Sequence, residues 1–339
     1  MKVLAIETSC DDTSVAIIDD SKNIITNKIF SQHSYHQQYG GVIPEIASRA
    51  HIEHITKLIK DAIDDAQLNY NELDAVAATI GPGLIGSLIV GVMAAKAIAH
   101  SYNLKFIGVN HLEGHALTAR LTGSVDYPFL LFLLSGGHCQ ALIVENVGQY
   151  KLLGKTLDDS LGEAFDKVAK MLNLGYPGGP IIEEKAKYGD PKRFALPIPL
   201  KNTADCNFSL SGLKTAVKKY IDEFSNPLQD RDINDICASF QYVVGKLLQL
   251  KLSYAIKEFS KIHPYSKNFV LAGGVAANQY IREQILITLK QYQFNLHVPP
   301  ISLCTDNAAM IGWAAIENLQ LNKQDSLDIK PRARWNLYD

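Results

Sequence analysis

"LDAVAATIGPGLIGSLIVGVMAAKAIAHSYNLKFIGVNHLEGHAL", residues 73–117, decides the fold, because its order of elements occurs a second time. A short apolar run meets the glycine turn GPGLIGS. A long apolar stretch follows, then the run KFIGV and a polar segment with two histidines. This pattern predicts strand, glycine loop, helix, strand, helix. Residues 267–316, "KNFVLAGGVAANQYIREQILITLKQYQFNLHVPPISLCTDNAAMIGWAAI", read the same way. Each half opens on a hairpin-like pair of apolar runs. KVLAIE and SVAIID flank the turn TSCDDT; PFLLFLL and CQALIVE flank SGGH. Two α/β units of one design predict a duplicated fold whose lobes face each other across a cleft. Ligands of open α/β sheets collect at the carboxyl ends of strands. GPGLIGS, AGGVAAN and both hairpin turns are expected there. The stretch from Asp158 to Ile262 reads as largely helical, broken by GYPGGP and by the loop CNFSLSGLKT.

Bulk properties narrow the class. A chain of 339 residues predicts about two domains. Five cysteines (Cys10, Cys139, Cys206, Cys237, Cys304), never in CxxC spacing, point to a reducing compartment, here the cytoplasm, and to no disulfide framework. MKVLAIETSC enters a strand-like run at once, which predicts no leader. GSLIVGVMAAKAIAH, interrupted by Lys96, is expected to be too short for a bilayer, which takes about 20 apolar residues. No membrane association is therefore expected. The net charge of −2 does not attract polyanions by itself, so a bound nucleic acid needs a local patch or a partner's charge.

NHLEGH, residues 110–115, carries the sharpest chemistry. His111 and His115 stand at i and i+4, on one helical face, where they can share a metal. The HExxH peptidase template fails, since Leu112 holds the place of its glutamate. Two histidines on a helix are more often packing or surface residues. The duplication changes that balance, because the position matching His111 in the second half falls in CTDNAAM, with Asp306. His111, His115 and Asp306 then form a two-histidine, one-carboxylate set suited to zinc or ferrous iron. His51 and His54 in SRAHIEHI are a weaker candidate pair, since nothing in the second half mirrors them.

The turn LLSGGH, residues 133–138, can bring backbone amides close to an anion. An ordinary hairpin turn explains it equally well. Asp11 and Asp12 in TSCDDTS repel a phosphate unless a cation intervenes. Asn278 in LAGGVAAN can bond a ribose or base, and Asp166 can accept from ribose hydroxyls. Gly178, Gly179 and Pro180 form a rigid bend. No GxxxxGK[ST] loop is present, which argues against a Walker-type NTPase. Lys214, Lys218 and Lys219, and Lys330, Arg332 and Arg334, form two basic clusters able to contact phosphates. A solubilising surface accounts for each as well.

IETSCDDTS, GGVIPEIASRAH, GPGLIGSL, NHLEGH, LLSGGHCQ, GEAFDKVAKML, YPGGP, FSLSGLKT, LAGGVAAN and CTDNAAMI, in that order, resemble the bacterial TsaD family of tRNA N6-adenosine threonylcarbamoyltransferases. The resemblance runs over essentially the whole chain. It implies the actin-like, sugar-kinase-like (ASKHA) fold of duplicated RNase H-like domains. The lobe boundaries are expected at 1–109 plus 307–339 for one lobe and 110–306 for the other. It implies one divalent metal, Fe2+ or alternatively Zn2+, on His111, His115 and Asp306. It also implies a threonylcarbamoyl-adenylate pocket lined by Leu133, Leu134, Ser135, Gly136, Gly137, Asp166, Gly179, Glu183 and Asn278, with ATP or AMP as further ligands. Glu183 stands where the family often has aspartate. The implied reaction moves the threonylcarbamoyl group to the N6 amine of the adenine 3′ of the anticodon, in tRNAs reading codons that begin with A. The implied partners are tRNA and the companion proteins TsaB and TsaE. A small-molecule kinase or an ATP-switched scaffold of the same fold is the rival reading, and neither needs the His-His-Asp set.

Overall fold

The computed structural model describes residues 1–39 and 41–339; Gly40, which opens the motif GGVIPEIASRAH, lies outside them. In chain order the elements are β1 (Lys2–Glu7), β2 (Asp12–Asp19), β3 (Ile24–Ser31), α1 (His33–His36), α2 (Pro44–Ala66), β4 (Ala75–Gly81), α3 (Ile85–Tyr102), β5 (Lys105–Asn110) and α4 (His111–Thr122). Then come β6 (Phe129–Leu134), β7 (Cys139–Asn146), β8 (Gln149–Lys155), α5 (Leu161–Met171), α6 (Gly178–Ala186), α7 (Ser211–Asp222) and α8 (Asp230–Ile262). The chain closes with β9 (Asn268–Ala272), α9 (Gln279–Tyr292), β10 (Asn295–His297) and α10 (Ala308–Gln320).

The duplication is plain in the sheets. One has the strand order β3-β2-β1-β4-β5 and the other β8-β7-β6-β9-β10. In both, the opening hairpin is antiparallel and the next strand adds parallel to its first member. The outer strands β3 and β8 were not expected. Seven of the eight positions in IITNKIFS are exposed or half-exposed, which hides its strand period.

Contacts divide the chain into two compact units. The first holds 1–124, 146–150 and 305–339, and the second 125–145 and 151–304. This division differs from the expected boundaries: α4 with His111 and His115, and residues 305–306, cluster with the first unit. In that unit Leu4, Ile6, Val15 and Ile17 face the apolar sides of α2 and α3. Alternate residues point to the opposite face, as the strand period of two requires. There α10 comes so close that a Cβ on Gly312 would meet Ile18 Cγ2 at 2.4 Å. Helix α3 is 18 residues long and, by length and composition, apolar enough to cross a membrane, contrary to the expectation from its sequence. Leu88, Gly91, Val92, Ala95 and Ala99 are its buried side; Ile85, Ile89 and Met93, at i, i+4 and i+8, are exposed.

In the second unit Leu130, Phe132 and Leu134 of β6 join a core with α5, α7 and the 33-residue α8. A lysine lies inside it. Lys251 is fully buried, and its Nζ donates to Leu200 O (3.2 Å), Thr203 Oγ1 (3.0 Å), Asp205 O (3.2 Å) and Asp205 Oδ1 (3.1 Å). The ammonium thereby fastens the irregular segment 200–205 to α8. Lys251→Met keeps the stem's volume but strands these oxygens. It is expected to lower unfolding stability by about 1–3 kcal/mol, the cost of leaving polar acceptors unsatisfied, since Asp205 itself stays half-exposed. Urea unfolding checks this; a midpoint equal to wild type would show that the oxygens are satisfied without the lysine.

Candidate functional site

Asn110 ends β5 and caps α4, its side chain accepting from Leu112 N at 2.9 Å. The first residue of the helix is then His111, and His115 follows one turn later. In the second half, β10 is followed by Asp306 two residues ahead of α10, whose cap is Asn307. Corresponding helix starts in the two repeats thus carry the two kinds of donor side chain. The donor atoms of His111, His115 and Asp306 all lie within 4.8 Å of one another. His115 Nε2 is 3.1 Å and His111 Nε2 3.5 Å from Asp306 Oδ1. The two imidazoles stand edge to face, 4.8 Å between centroids.

Behind His111 stands a residue that the sequence pattern does not announce. The Glu7 carboxylate, at the end of β1, lies 3.1 Å from His111 Nδ1, and Ser9 Oγ is also 3.1 Å from that nitrogen. Glu7 also accepts from Ser9 N at 2.5 Å and from the Thr79 hydroxyl. Burial alone would push the Glu7 carboxyl up. The His111 charge, with hydrogen bonds from His111 and Ser9, outweighs burial and holds it below its ordinary value. For His111, burial disfavours the charged ring, but Asp306 and Glu7 together raise its pKa to about 9. A carboxylate on Nδ1 leaves Nε2 to face Asp306, the arrangement in which metal-bound imidazoles are usually oriented.

These residues suit a divalent cation. Two carboxylates, Glu7 and Asp306, meet the two imidazoles, and Asp12, which feels the charge of both, has a buried oxygen, Oδ1, with no hydrogen-bond partner. Burial raises the Asp12 pKa to about 7; a hydrogen bond from Ser31 works against it, and the charges of Asp11, Asp306 and Glu7 add to it. A cation held there would relieve that repulsion. Glu113 takes no part. It accepts from Tyr150 Oη (2.8 Å), Gly148 N (3.0 Å) and Asn318 Nδ2 (3.2 Å), so a peptidase-like role is closed to it. His51 and His54 are not in the group. His51 bonds Thr13 and Cys10, and His54 stacks on Phe30 with 3.6 Å between centroids.

The other expected residues belong to the second unit. Ser135–His138 is the β6–β7 turn, closed by Ser135 N to His138 O at 2.7 Å. Gly162 N, in the first turn of α5, donates to Ser135 O at 3.1 Å, and the Ser160 hydroxyl donates to Gly136 O. Neither Gly136 nor Gly137 has a positive φ, and a Cβ on either meets nothing within 4 Å. Open space therefore lies beside both Cα atoms. The glycine that the backbone needs is Gly273, at φ +90, where a Cβ would lie 2.4 Å from Leu134 O. Leu133 and Leu134 are wholly buried, so neither presents surface to a ligand. Asp166 Oδ1 accepts from Gly178 N at 2.7 Å; burial raises its pKa, against that bond. Gly179, next to it, borders open space.

Two side chains expected to meet the nucleotide are already engaged. Asn278 caps α9 by accepting from Ile281 N (2.9 Å) and donates to Gln241 Oε1 (3.1 Å). Glu183 accepts from Gln279 N (2.7 Å) and Tyr280 N (3.3 Å). Both fix the start of α9. The basic cluster LKTAVKK is largely neutralised, Lys214 by Asp159, Lys218 by Asp222 and Lys219 by Glu223. Cys139 is buried, and burial pushes its thiol far up, so it is no nucleophile.

Comparison with known proteins places this geometry. Residues 23–313 match the profile of TsaD, tRNA N6-adenosine threonylcarbamoyltransferase. A protein of that name from Wolbachia pipientis wMel is 53% identical over 336 residues, covering 99% of this chain and 98% of its own length. One from Rhodospirillum rubrum is 51% identical, covering 99% and 94%. In fold, the chain resembles the solved structure of T. kodakarensis HypF, with TM-score 0.62 and 15% identity over 95% of this chain and 48% of that one. The duplicated sheets accord with the actin-like, sugar-kinase-like class. The chain belongs to the TsaD family, and its activity is that of a tRNA N6-adenosine threonylcarbamoyltransferase, forming N6-threonylcarbamoyladenosine in tRNA.

Proposed function

We propose that His111, His115 and Asp306 are the metal ligands of this transferase, and that its acyl donor is threonylcarbamoyl-adenylate. The observation that carries this reading is the convergence of the three donors, with Glu7 orienting His111. The acceptor is the N6 amine of the adenine 3′ of the anticodon, in tRNAs reading codons that begin with A. A divalent ion on the three ligands, Fe2+ or Zn2+, supplies Lewis-acid polarisation and orientation of the threonylcarbamoyl group.

The chain's own residues do the rest. The amides of Gly136 and Gly137 receive the phosphate, the Ser135 amide being held by His138 O. Asp166 and Gly179 border the space for the ribose, and Glu183 and Asn278 hold the start of α9 beside them. The adenine amine attacks the carbamoyl carbon, the bond from that carbon to the AMP oxygen breaks, and one N6 proton is released. Positioning the two reactants contributes up to roughly 7–11 kcal/mol in favourable cases, without any nucleophile from the protein. ATP or AMP occupies the same nucleotide residues. The test is reconstitution of chain, adenylate, tRNA, TsaB and TsaE, read by nucleoside mass spectrometry. Absence of the modified nucleoside, with phosphorylation of a small molecule instead, would sink this reading in favour of a kinase.

TsaB and TsaE are the proposed companions, in the cytoplasm, where tRNA is modified. The exposed stripe Ile85, Ile89 and Met93 on α3, with Ile52 on α2, supports a partner on this face. The two helices approach closely where a Cβ on Gly86 would meet Ser48 Oγ at 2.5 Å, so the stripe is a rigid surface. Met93→Asp is expected to weaken TsaB binding at least about 30-fold, the scale of an interface hot spot of 2 kcal/mol. Its melting temperature should hold, since the side chain is 58% exposed. Titration calorimetry with TsaB checks it, and unchanged affinity would move the partner elsewhere.

A further inference from the structure

His51, one of the two histidines of SRAHIEHI that stand outside the metal group, is completely buried in the middle of α2. Its Nε2 lies 3.0 Å from Cys10 O, and its Nδ1 is 2.7 Å from Thr13 Oγ1 and 3.3 Å from Gln32 Nε2. A carbonyl oxygen only accepts, so Nε2 carries the proton and Nδ1 accepts from the hydroxyl and the amide. Gln32 also donates to Ala47 O at 3.3 Å and accepts from His36 Nε2 at 3.3 Å. His36 Nδ1 in turn accepts from Ile43 N at 3.3 Å. Thr13, Gln32, His36 and His51 are all buried. A buried network satisfied in this way specifies one geometry, since every alternative leaves a polar group unpaired.

That geometry ends at the turn after β1. Three of its carbonyls are each taken by a different element: Ser9 O by Leu84 N (2.8 Å), Asp11 O by Gln32 N (3.1 Å) and Cys10 O by His51. The first two are main-chain bonds that any residue can make. Only the one to Cys10 depends on a side chain. The same turn carries Ser9, whose hydroxyl touches His111 Nδ1, and Asp12, with its unpartnered buried oxygen.

We propose that His51 is a positioning residue for the transfer reaction: its Nε2 proton, given to the Cys10 carbonyl, fixes the Ser9–Asp12 turn against His111 and so sets the orientation of that metal-ligand ring. The inference rests on the reading of His111, His115 and Asp306 as the metal centre. His111→Ala serves as the control for that reading.

Two substitutions separate positioning from mere stability. Glutamine places its amide nitrogen where Nε2 stood and can still donate to Cys10 O. Asparagine reaches only the Nδ1 position. Each removes the ring and its packing. His51→Asn is expected to lower kcat for tRNA modification about tenfold, with KM for tRNA unchanged, and to load substoichiometric metal after incubation with Zn2+. His51→Gln should stay within about threefold of wild type on both measures. Equal loss in the two variants, tracking their melting temperatures, overturns the proposal, and so does full activity in His51→Asn. Should neither variant fold, isosteric Thr13→Val carries the test: it removes only the hydroxyl that orients the ring, and an unchanged kcat overturns the proposal. If His111→Ala itself retains transfer and metal, the metal-centre reading fails instead, and the two failures are told apart.

Discussion

His115→Ala is expected to lose its metal and at least about 100-fold of its transfer rate while remaining folded. Changes in outer residues that merely orient metal ligands already cost about 10–100-fold, so removal of a ligand costs no less. His115 Nε2 is the histidine nitrogen nearer to Asp306, at 3.1 Å. Alanine leaves His111 and the carboxylate alone, a pair that binds a divalent ion weakly. The fold should persist because α4 is held by other side chains. Leu112, Ala116, Leu117, Ala119 and Leu121 are buried, and α4 packs along α10, where a Cβ on Gly114 would already meet Ile311 Cδ1 at 2.9 Å. Alanine also favours the helix. Metal analysis after anaerobic purification, circular dichroism and nucleoside mass spectrometry give the three readouts. A folded variant with full metal and a wild-type rate would remove these residues from the site.

Much of this was readable beforehand for a physical reason. A duplicated chain repeats its periodicity, so β4–α3–β5–α4 and β9–α9–β10–α10 were visible as one pattern seen twice. The same repetition linked His111 to Asp306 across nearly two hundred positions, where spacing alone says nothing. Glu7 was not readable. It ends an apolar strand and looks like the polar residue that stops a run; its contact with His111 exists only because β1 and β5 flank β4 in one sheet. Asn278 and Glu183 illustrate another limit: neither residue type announces that both hold the start of α9. The glycines divide similarly. LLSGGH and LAGGVAAN look alike in sequence, yet only Gly273 occupies a conformation that demands glycine. The lobe boundaries turned on α4, whose packing against α10 no local pattern encodes.

Gly136→Val should fold normally and lose the adenylate. The usual cost of replacing glycine is strain or collision, and neither arises here: φ is not positive, and a Cβ meets nothing within 4 Å. The valine side chain instead fills the open space in front of the turn, where a phosphate must come to reach the amides. Losing one hydrogen bond to a charged group costs about 1.5–3 kcal/mol. That corresponds to roughly 10–150-fold in affinity for AMP or the adenylate, at about 1.4 kcal/mol per factor of ten. Metal content should not change, since His111, His115 and Asp306 belong to the other unit. Gly162→Val is the contrasting variant. A Cβ there would sit 2.8 Å from Gly136 Cα and 2.9 Å from Ser135 O, so α5 must shift away from the turn. It should lose both the ligand and several degrees of melting temperature, whereas Gly136→Val loses the ligand alone. Calorimetric titration with AMP, run beside thermal melts, separates the two. A Gly136→Val protein that binds AMP as tightly as wild type would show that SGGH merely turns the chain, and that the phosphate is held elsewhere.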